Sequence, residues 1–276
     1  MQVNTNVQAL VAANAINLAT QQAARASERI GSSLRVNSAA DDPGSMIMIN
    51  SIKSKIASWS KANDNITSAN GMLQTMNSTL TTVSDLLSKM RALAVSSVNA
   101  QAATQMINQT TFAAYRAQMD NLSTLAKWNG ISLLNNSGGT VSIQAGVDAG
   151  NTITVNLYNT ASSNLGDAGS KVSTLDLSVS ADTAITQIDK AITTISGYQT
   201  AVGASLNIMA SQSSYNTGIS TANNSTYAAL TNADIAAETA NLAAAQIRQS
   251  SASAMLAQST QMNKDLVKTL LQQFIN

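Results

Sequence analysis

Between Ile49 and Ala94 the apolar positions fall at Ile49, Ile52, Ile56, Trp59, Ala62, Ile66, Ala69, Leu73, Met76, Leu80, Val83, Leu87, Met90 and Ala94. The steps alternate between three and four residues, with one break between Trp59 and Ala62, and persist over more than six heptads. Such a stripe is a coiled-coil seam, and it predicts one helix from about residue 44 to 98, roughly 80 Å long at the α-helical rise. Its start is marked by Asp41-Asp42-Pro43, an acidic N-cap ahead of a proline that suits the first helical position. Upstream, Val3, Val7, Leu10, Ala13, Leu18, Ala24, Ile30 and Leu34 make an imperfect helical stripe with too little bulk to be stable alone. Downstream, Phe112, Tyr115, Met119, Leu122 and Ala126 predict a shorter helix returning antiparallel.

The period then changes to two, at Val141, Ile143, Ala145, Val147 and at Ile153, Val155, Leu157, with Asp148-Ala149-Gly150-Asn151 between: a β-hairpin near 140–158. Residues 159–181 are polar and rich in Ser and Gly, room for a loop or small strand elements only. Helical spacing returns at Ile185, Ile188, Ile192, Ile195, Val202, Leu206 and Met209, weakens through 211–226, and resumes at Leu230, Ile235, Leu242, Ala245, Ala252, Leu256, Leu266 and Leu270. The order of element types is close to a palindrome. It predicts a mainly α fold of long antiparallel coiled-coil helices with one small β-hairpin and the N- and C-terminal helices paired.

Composition narrows the chemistry. The 276 residues include no Cys, no His, one Pro and 3% aromatics. Nucleophile–histidine catalysis, the usual zinc sites and disulfides are thereby excluded. Charged residues are 11%, against roughly 25% in an ordinary soluble domain, and Ser, Thr, Asn, Gln and Ala replace them, a surface suited to protein contact. A net charge of +1 without a basic run gives no reason to expect nucleic acid or an anionic membrane. No basic start followed by an apolar run, and no run of 18 apolar residues, predicts a signal peptide or membrane span. By composition alone that means cytoplasm.

Asp41-Asp42 reads as a cap rather than a metal or acid–base site, and Met72, Met76, Met90, Met209 and Met255 read as core filler at helical spacing. Trp59 and Trp128 read as packing anchors. There is no Gly-rich phosphate loop, metal-ligand cluster or nucleophile with a base, so neither catalysis nor a cofactor is expected.

Three stretches resemble bacterial flagellin. They are Glu28-Arg29-Ile30-Gly31-Ser32-Ser33-Leu34-Arg35-Val36-Asn37-Ser38-Ala39-Ala40-Asp41-Asp42, then Arg91-Ala92-Leu93-Ala94-Val95-Ser96-Ser97 followed by Trp128-Asn129-Gly130 with Leu133-Leu134, and last Ala233-Asp234-Ile235-Ala236-Ala237-Glu238 with Gln246-Ile247-Arg248-Gln249, Leu256-Ala257-Gln258 and Leu270-Leu271. Their order and spacing agree along nearly the whole chain. There are departures. Gly31 lies two places ahead of the family's usual glycine, so the local turn is expected to differ; Trp128 stands for a Phe; and a Pro near the last helix is missing, so that helix is expected to run unbroken to Leu271. The short middle implies a core-only form without variable outer domains.

The resemblance implies a non-enzymatic subunit that polymerises into the flagellar filament, extracellular and exported without a cleaved signal peptide through the flagellar type III apparatus. It implies an inner-core domain of 1–40 with 236–276 and an outer-core rod of 41–235. Partners implied are other copies of the chain, an export chaperone at the C-terminal helix, and filament cap and junction proteins. Inner-core assembly falls to Val3, Val7, Leu10, Leu18, Ile247, Leu256, Leu266 and Leu270, and the interdomain joint to Arg35, Asn37, Asp41, Asp42 and Pro43. The outer-core seam is Ile52, Ile56, Trp59, Ile66, Leu73, Leu80 and Leu87. Lys89, Arg91 and Leu93 match positions through which a vertebrate innate receptor detects some flagellins, while a key acidic position falls at Thr111, implying weak recognition. The rival readings are a hook-filament junction protein of the same axial family and a coiled-coil adhesin module, the latter lacking a head domain.

Overall fold

The structure is a computed structural model that describes residues 6–136 and 138–275, with side chains to Gln273 at the C-terminal end. Five long helices account for most of it: α1 (Val7–Ser32), α2 (Pro43–Ser97), α3 (Ala102–Leu125), α4 (Leu177–Thr231) and α5 (Ile235–Ile275). The chain divides into a terminal unit, Met1–Ser54 with Ala222–Asn276, and a central unit, Lys55–Thr221.

In the central unit the heptad stripe of α2 becomes the core. Ile66, Leu73, Met76, Leu80, Val83, Leu87, Met90 and Ala94 are fully buried, against Phe112 and Met119 of α3 and Ile188, Ala191, Ile195, Val202 and Met209 of α4. Full burial of a Leu or Met side chain contributes about 1.5–3 kcal/mol, so this unit holds its helices through large side chains. After α2 the chain reverses over Ser97–Gln101. The Gln105 side chain donates to the Ser97 carbonyl at 3.0 Å, and Asn108 donates to the Ser96 and Ser97 hydroxyls.

The segment between α3 and α4 holds three two-stranded antiparallel pairs where the periodicity predicted one hairpin. The predicted hairpin is β3–β4 (Thr140–Gln144 and Thr152–Asn156), with Val141 opposite Val155 and Ile143 opposite Ile153. The additional pairs are β1–β2 (Lys127–Trp128, Ile131–Ser132) and β5–β6 (Gly166–Asp167, Ser170–Lys171). Two-residue strands are too short to display a period of two. The signal for β1–β2 was instead the dipeptide Asn129-Gly130, whose φ values of 49° and 83° provide the double left-handed turn that a tight hairpin requires.

Polar side chains of α3 tie this segment down. Asp120 accepts from the Ser162 amide and hydroxyl, Gln109 accepts from the Leu177 amide, Arg116 donates to the Ser173 carbonyl, and the Ser123 hydroxyl donates to the Leu134 carbonyl. Trp128 lies against Gly71 of α2; a Cβ there would come within 2.9 Å of the indole, so the missing side chain makes room for the ring. Trp59 meets Tyr215 edge to face at 6.1 Å, and both tryptophans are half-buried. Ile66, Leu73, Leu80 and Leu87 occupy the predicted seam, whereas Ile56 and Trp59 are only half-buried and Ile52, also half-buried, belongs to the terminal unit.

Candidate assembly surface

In the terminal unit α1 packs along α5, and the pair runs antiparallel. Asn6 exchanges hydrogen bonds with Ser259 (3.0 Å to its carbonyl, 2.9 Å from its hydroxyl), Gln249 donates to Thr20, Arg248 donates to Gln22, and Arg29 meets Glu238 at 3.1 Å. Asn6 also caps α1 by accepting from the Ala9 amide, and Asp234 caps α5 by accepting from the amides of Ala236 and Ala237. Glu238 thus sits in the first turn of its helix, where a negative charge is favourable, with Arg29 opposite.

The seam is made of small residues. Ala12, Ala19 and Ala26 of α1 are buried at intervals of seven, and so are Ala245, Ala252 and Ser259 of α5. A heptad seam of methyls lets two helices approach closely, but each methyl contributes about 0.8 kcal/mol, a fraction of what a buried Leu supplies. Large apolar side chains stay outside. Val7, Leu10, Leu18 and Ile247 are 59–67% exposed, Leu266 and Leu270 just over one-third exposed, and Leu256 is half-buried. Of the residues expected at this surface, Val3 lies outside the described residues. None of the remaining seven is among the buried seam residues. Ala245 and Ala252 lie on the helical spacing read along α5, whereas the stripe read along α1 passes over Ala12, Ala19 and Ala26.

Two apolar grooves flank the pair. One, of about 380 Å³, is lined by Val7, Val11, Met255 and Met262 with Gln8, Gln258 and Ser259. The other, of about 590 Å³, is lined by Ala9, Val267 and Leu271 with polar and lysine side chains. Met255, read from its spacing as core filler, is 61% exposed and lines the first groove at the edge of the seam, beside Ser259. Met72, Met76, Met90 and Met209 are in the core as expected.

The connections between helices in this unit are bonded to each other. The Arg35 amide donates to the Thr231 carbonyl at 2.6 Å and its guanidinium to the Leu230 carbonyl at 2.9 Å, while the Ala233 amide donates to the Ser33 carbonyl. Asn37 donates from its side chain to the Ser32 hydroxyl at 2.7 Å. Asp41 accepts from the Asn37 and Ser38 amides and the Ser38 hydroxyl, and Asp42 caps α2 by accepting from the Ser45 amide and hydroxyl with Pro43 as the first helical residue. Both carboxyls are held below the ordinary carboxylate value. For Asp41 the Ser38 amide and then its hydroxyl are the main causes; for Asp42 it is the Ser45 hydroxyl and then its amide. α1 ends with Ser33 in the left-handed region at φ 59°, two residues after Gly31, which is an ordinary helical residue with open space around it.

On the central unit, Lys89 and Arg91 are exposed and Leu93 is half-buried. Arg91 bonds Asp189 of α4 with two nitrogens, which raises the guanidinium and lowers the carboxyl from their ordinary values. The Thr111 hydroxyl is turned to the Ile107 carbonyl of its own helix. Among the described residues, no group of acidic side chains could hold a metal ion, and no helix is long and apolar enough to cross a membrane.

Comparison with known proteins places this surface in a family context. The family model for the bacterial flagellin N-terminal helical region matches residues 3–139, and that for the bacterial flagellin C-terminal helical region matches residues 185–270. A flagellin of Listeria innocua is 29% identical over 291 residues, covering 98% of this chain and 99% of that protein. Flagellin E of Vibrio cholerae is 30% identical over 167 residues, 60% of this chain and 44% of that one. Among solved structures, one assigned to the flagellar hook-associated proteins, from Vibrio parahaemolyticus, has a TM-score of 0.58 at 14% identity and covers 69% of this chain and 99% of that one, a likeness of fold.

Proposed function

The chain belongs to the bacterial flagellin family and is a structural, non-enzymatic subunit of the extracellular flagellar filament, and from that premise we propose that its paired terminal helices are the surface through which copies polymerise. The observation that carries this is the inversion of the α1–α5 pair. Its seam is alanine, while Val7, Leu10, Val11 and Leu18 on α1 and Ile247, Met255 and Met262 on α5 face outward. Apolar patches of this kind on a soluble subunit mark contact sites. A contact between two different patches, repeated with a rotation that does not close, produces an open helical filament.

Within this reading, residues 1–40 with 236–276 are the inner core and 41–235 the outer core. Arg35, Asn37, Asp41, Asp42 and Pro43 form the joint, supported by the bonds from Arg35 to the Leu230 and Thr231 carbonyls, from Asn37 to Asp41, and from Ser45 to Asp42 ahead of Pro43. The free subunit is exported unfolded by the type III route with a chaperone on the C-terminal helix, and cap and junction proteins engage the same terminal helices in the assembled organelle. Recognition by the innate receptor is weak, because Arg91 is engaged by Asp189 and position 111 carries a threonine.

The test is electron microscopy of seeded or salted-out protein beside a copy lacking residues 1–36 and 236–276. Long tubes from the full chain and none from the truncated one are expected; tubes from both would overturn assembly through the ends. Loss of chaperone binding on deleting 236–276 checks the export reading.

A further inference from the structure

The chain has no cysteine, so methionine is the only sulfur it offers to an oxidant. Nine of its eleven methionines fall into two sets, Met46 being half-buried and Met1 outside the described residues. Met72, Met76, Met90, Met119 and Met209 are at most 2% exposed, whereas Met48, Met106, Met255 and Met262 are 53–69% exposed. Of the exposed four, Met255 and Met262 line a common groove, seven residues apart on α5, with Val7, Gln8 and Val11 on the opposite wall. A thioether there is an apolar, adaptable contact. A sulfoxide at the same place is a strong acceptor that must shed its water to be covered, and the Val7 and Val11 side chains opposite offer it no donor.

We propose that Met255 and Met262 are a reversible oxidation site, at which an oxidant of the peroxide class converts both thioethers to sulfoxides and withholds the free subunit from assembly. This rests on the reading that the α1–α5 pair is the assembly surface. In each event a sulfur lone pair attacks one peroxide oxygen, the O–O bond breaks and an S–O bond forms. Sulfur is oxidised by two electrons, and hydrogen peroxide is reduced to water. A dithiol reductant reverses it, breaking the S–O bond and releasing water as the dithiol becomes a disulfide. The five core methionines stay intact because no peroxide reaches them in the folded unit; Met48 and Met106 are as exposed and take up oxygen as well, and the leucine chain, which retains both, separates their effect from that of the groove pair.

The experiment uses the full chain, limited hydrogen peroxide, peptide mass spectrometry and seeded elongation. One-oxygen additions are expected at Met255 and Met262 in free subunits and not at the five core methionines, with the same two protected in preformed filaments. Elongation by the oxidised subunit is expected to fall about tenfold or more, the scale of an uncompensated polar group being buried, and to recover after treatment with the two methionine sulfoxide reductases. A Met255→Leu/Met262→Leu chain is expected to elongate and to resist peroxide. Normal elongation by the doubly oxidised subunit, failure of the reductases to restore it, or equal peroxide sensitivity of the leucine chain overturns the proposal. If the leucine chain cannot elongate, reductase rescue of the native sequence decides alone. An unoxidised Val7→Ser/Val11→Ser chain separates the two levels: normal elongation by it sinks the assembly reading, whereas its failure beside normal elongation by oxidised subunit sinks only the oxidation site.

Discussion

α2 of the central unit sends Leu73, Leu80 and Leu87 inward at intervals of seven, and α1 of the terminal unit sends Ala12, Ala19 and Ala26 inward at the same interval. The spacing is shared and the side-chain volume is not. In the central unit the heptad positions carry most of the bulk, so one chain can bury its own apolar surface. In the terminal unit the heptad positions carry methyls and the bulk stands beside them, at Val7, Leu10, Val11 and Leu18, where a single chain cannot cover it. The first pattern specifies a unit whose core closes within the monomer, though Met106, Ile107, Leu125 and Val179 stay exposed on its surface; the second specifies a pair whose bulk is left for other protein to cover. Periodicity therefore locates a helix, but the size of the residue at each phase of the period says whether its partner is the same chain or another copy.

The largest effect that sharpens this contrast comes from the central seam. Leu80→Ala is expected to cost about 2–5 kcal/mol, from lost transfer energy and the cavity left behind, read as a lowered midpoint for denaturant unfolding of the monomer. A loss under about 1 kcal/mol, the scale of a surface change, would break the claim that the central unit stands on large side chains. In the terminal seam the direction of a damaging change is reversed. Ala19→Leu adds bulk where the helices are closest and is expected to cost about 1–3 kcal/mol through overpacking, visible as lost helicity on circular dichroism with the central unit's transition unmoved. Leu18→Ser, one residue away and exposed, is expected to leave monomer stability within about 0.5 kcal/mol while stopping seeded elongation. If Leu18→Ser unfolds the monomer and Ala19→Leu does not, the assignment of inner and outer faces is the wrong way round.

What the sequence made legible follows the same division. The seam from Ile66 to Ala94, the start of α2 at Pro43, the β3–β4 hairpin and the unbroken run of α5 past Leu271 were readable because large or conformationally special residues mark them. On α5 the spacing reaches Ala245 and Ala252, but the α1 half of the alanine seam was not readable. A stripe sought among bulky residues selects Val7, Leu10 and Leu18, which are the exposed face, and passes over Ala12, Ala19 and Ala26 among the chain's many other alanines. Met255 was misread because it stands at the edge of the seam, three residues after Ala252 and four before Ser259, and spacing alone does not say whether a side chain there is covered. The polar ties were missed differently: Arg29 with Glu238 and Asn6 with Ser259 join residues more than two hundred positions apart, and only the pairing of the ends brings them together. Asp234 as the cap of α5 was within reach, being an acidic residue just ahead of a helical run.

A smaller effect separates the Asp41–Asp42 turn from both seams. Asp41 and Asp42 have folded values below the ordinary carboxylate value, so their contribution to stability is fully present above that ordinary value and is lost as pH falls through the lowered folded values. Acid is expected to loosen the start of α2 and the Asn37–Ser38 turn before the central core responds. Amide exchange at Ser45 and Ser38 across acidic pH reads this directly. Asp42→Asn keeps the cap, since asparagine serves as well at that position, and is expected to remove the acid dependence at Ser45; unchanged dependence would assign it to another group.

The smallest effect concerns two residues at the end of α1. Ser33 occupies the left-handed region at φ 59°, and Gly31, two residues earlier, is helical with nothing near its missing side chain. A left-handed residue after a helix is where glycine is least strained, and a helix interior is where glycine costs most relative to alanine. The glycine thus stands two positions ahead of the place where this backbone needs one, which is the offset from the flagellin pattern seen in the sequence. Ser33→Gly and Gly31→Ala are each expected to stabilise the terminal unit by roughly 0.5–1 kcal/mol, and at this separation to be close to additive if each acts on its own backbone position. Thermal unfolding of the two single variants and the double variant, monitored by helicity, measures this. A destabilising Ser33→Gly would show that the Ser33 side chain stabilises the turn by more than its backbone strain costs, and the end of α1 would then be fixed by side-chain contacts, as the central unit is, and not by backbone conformation.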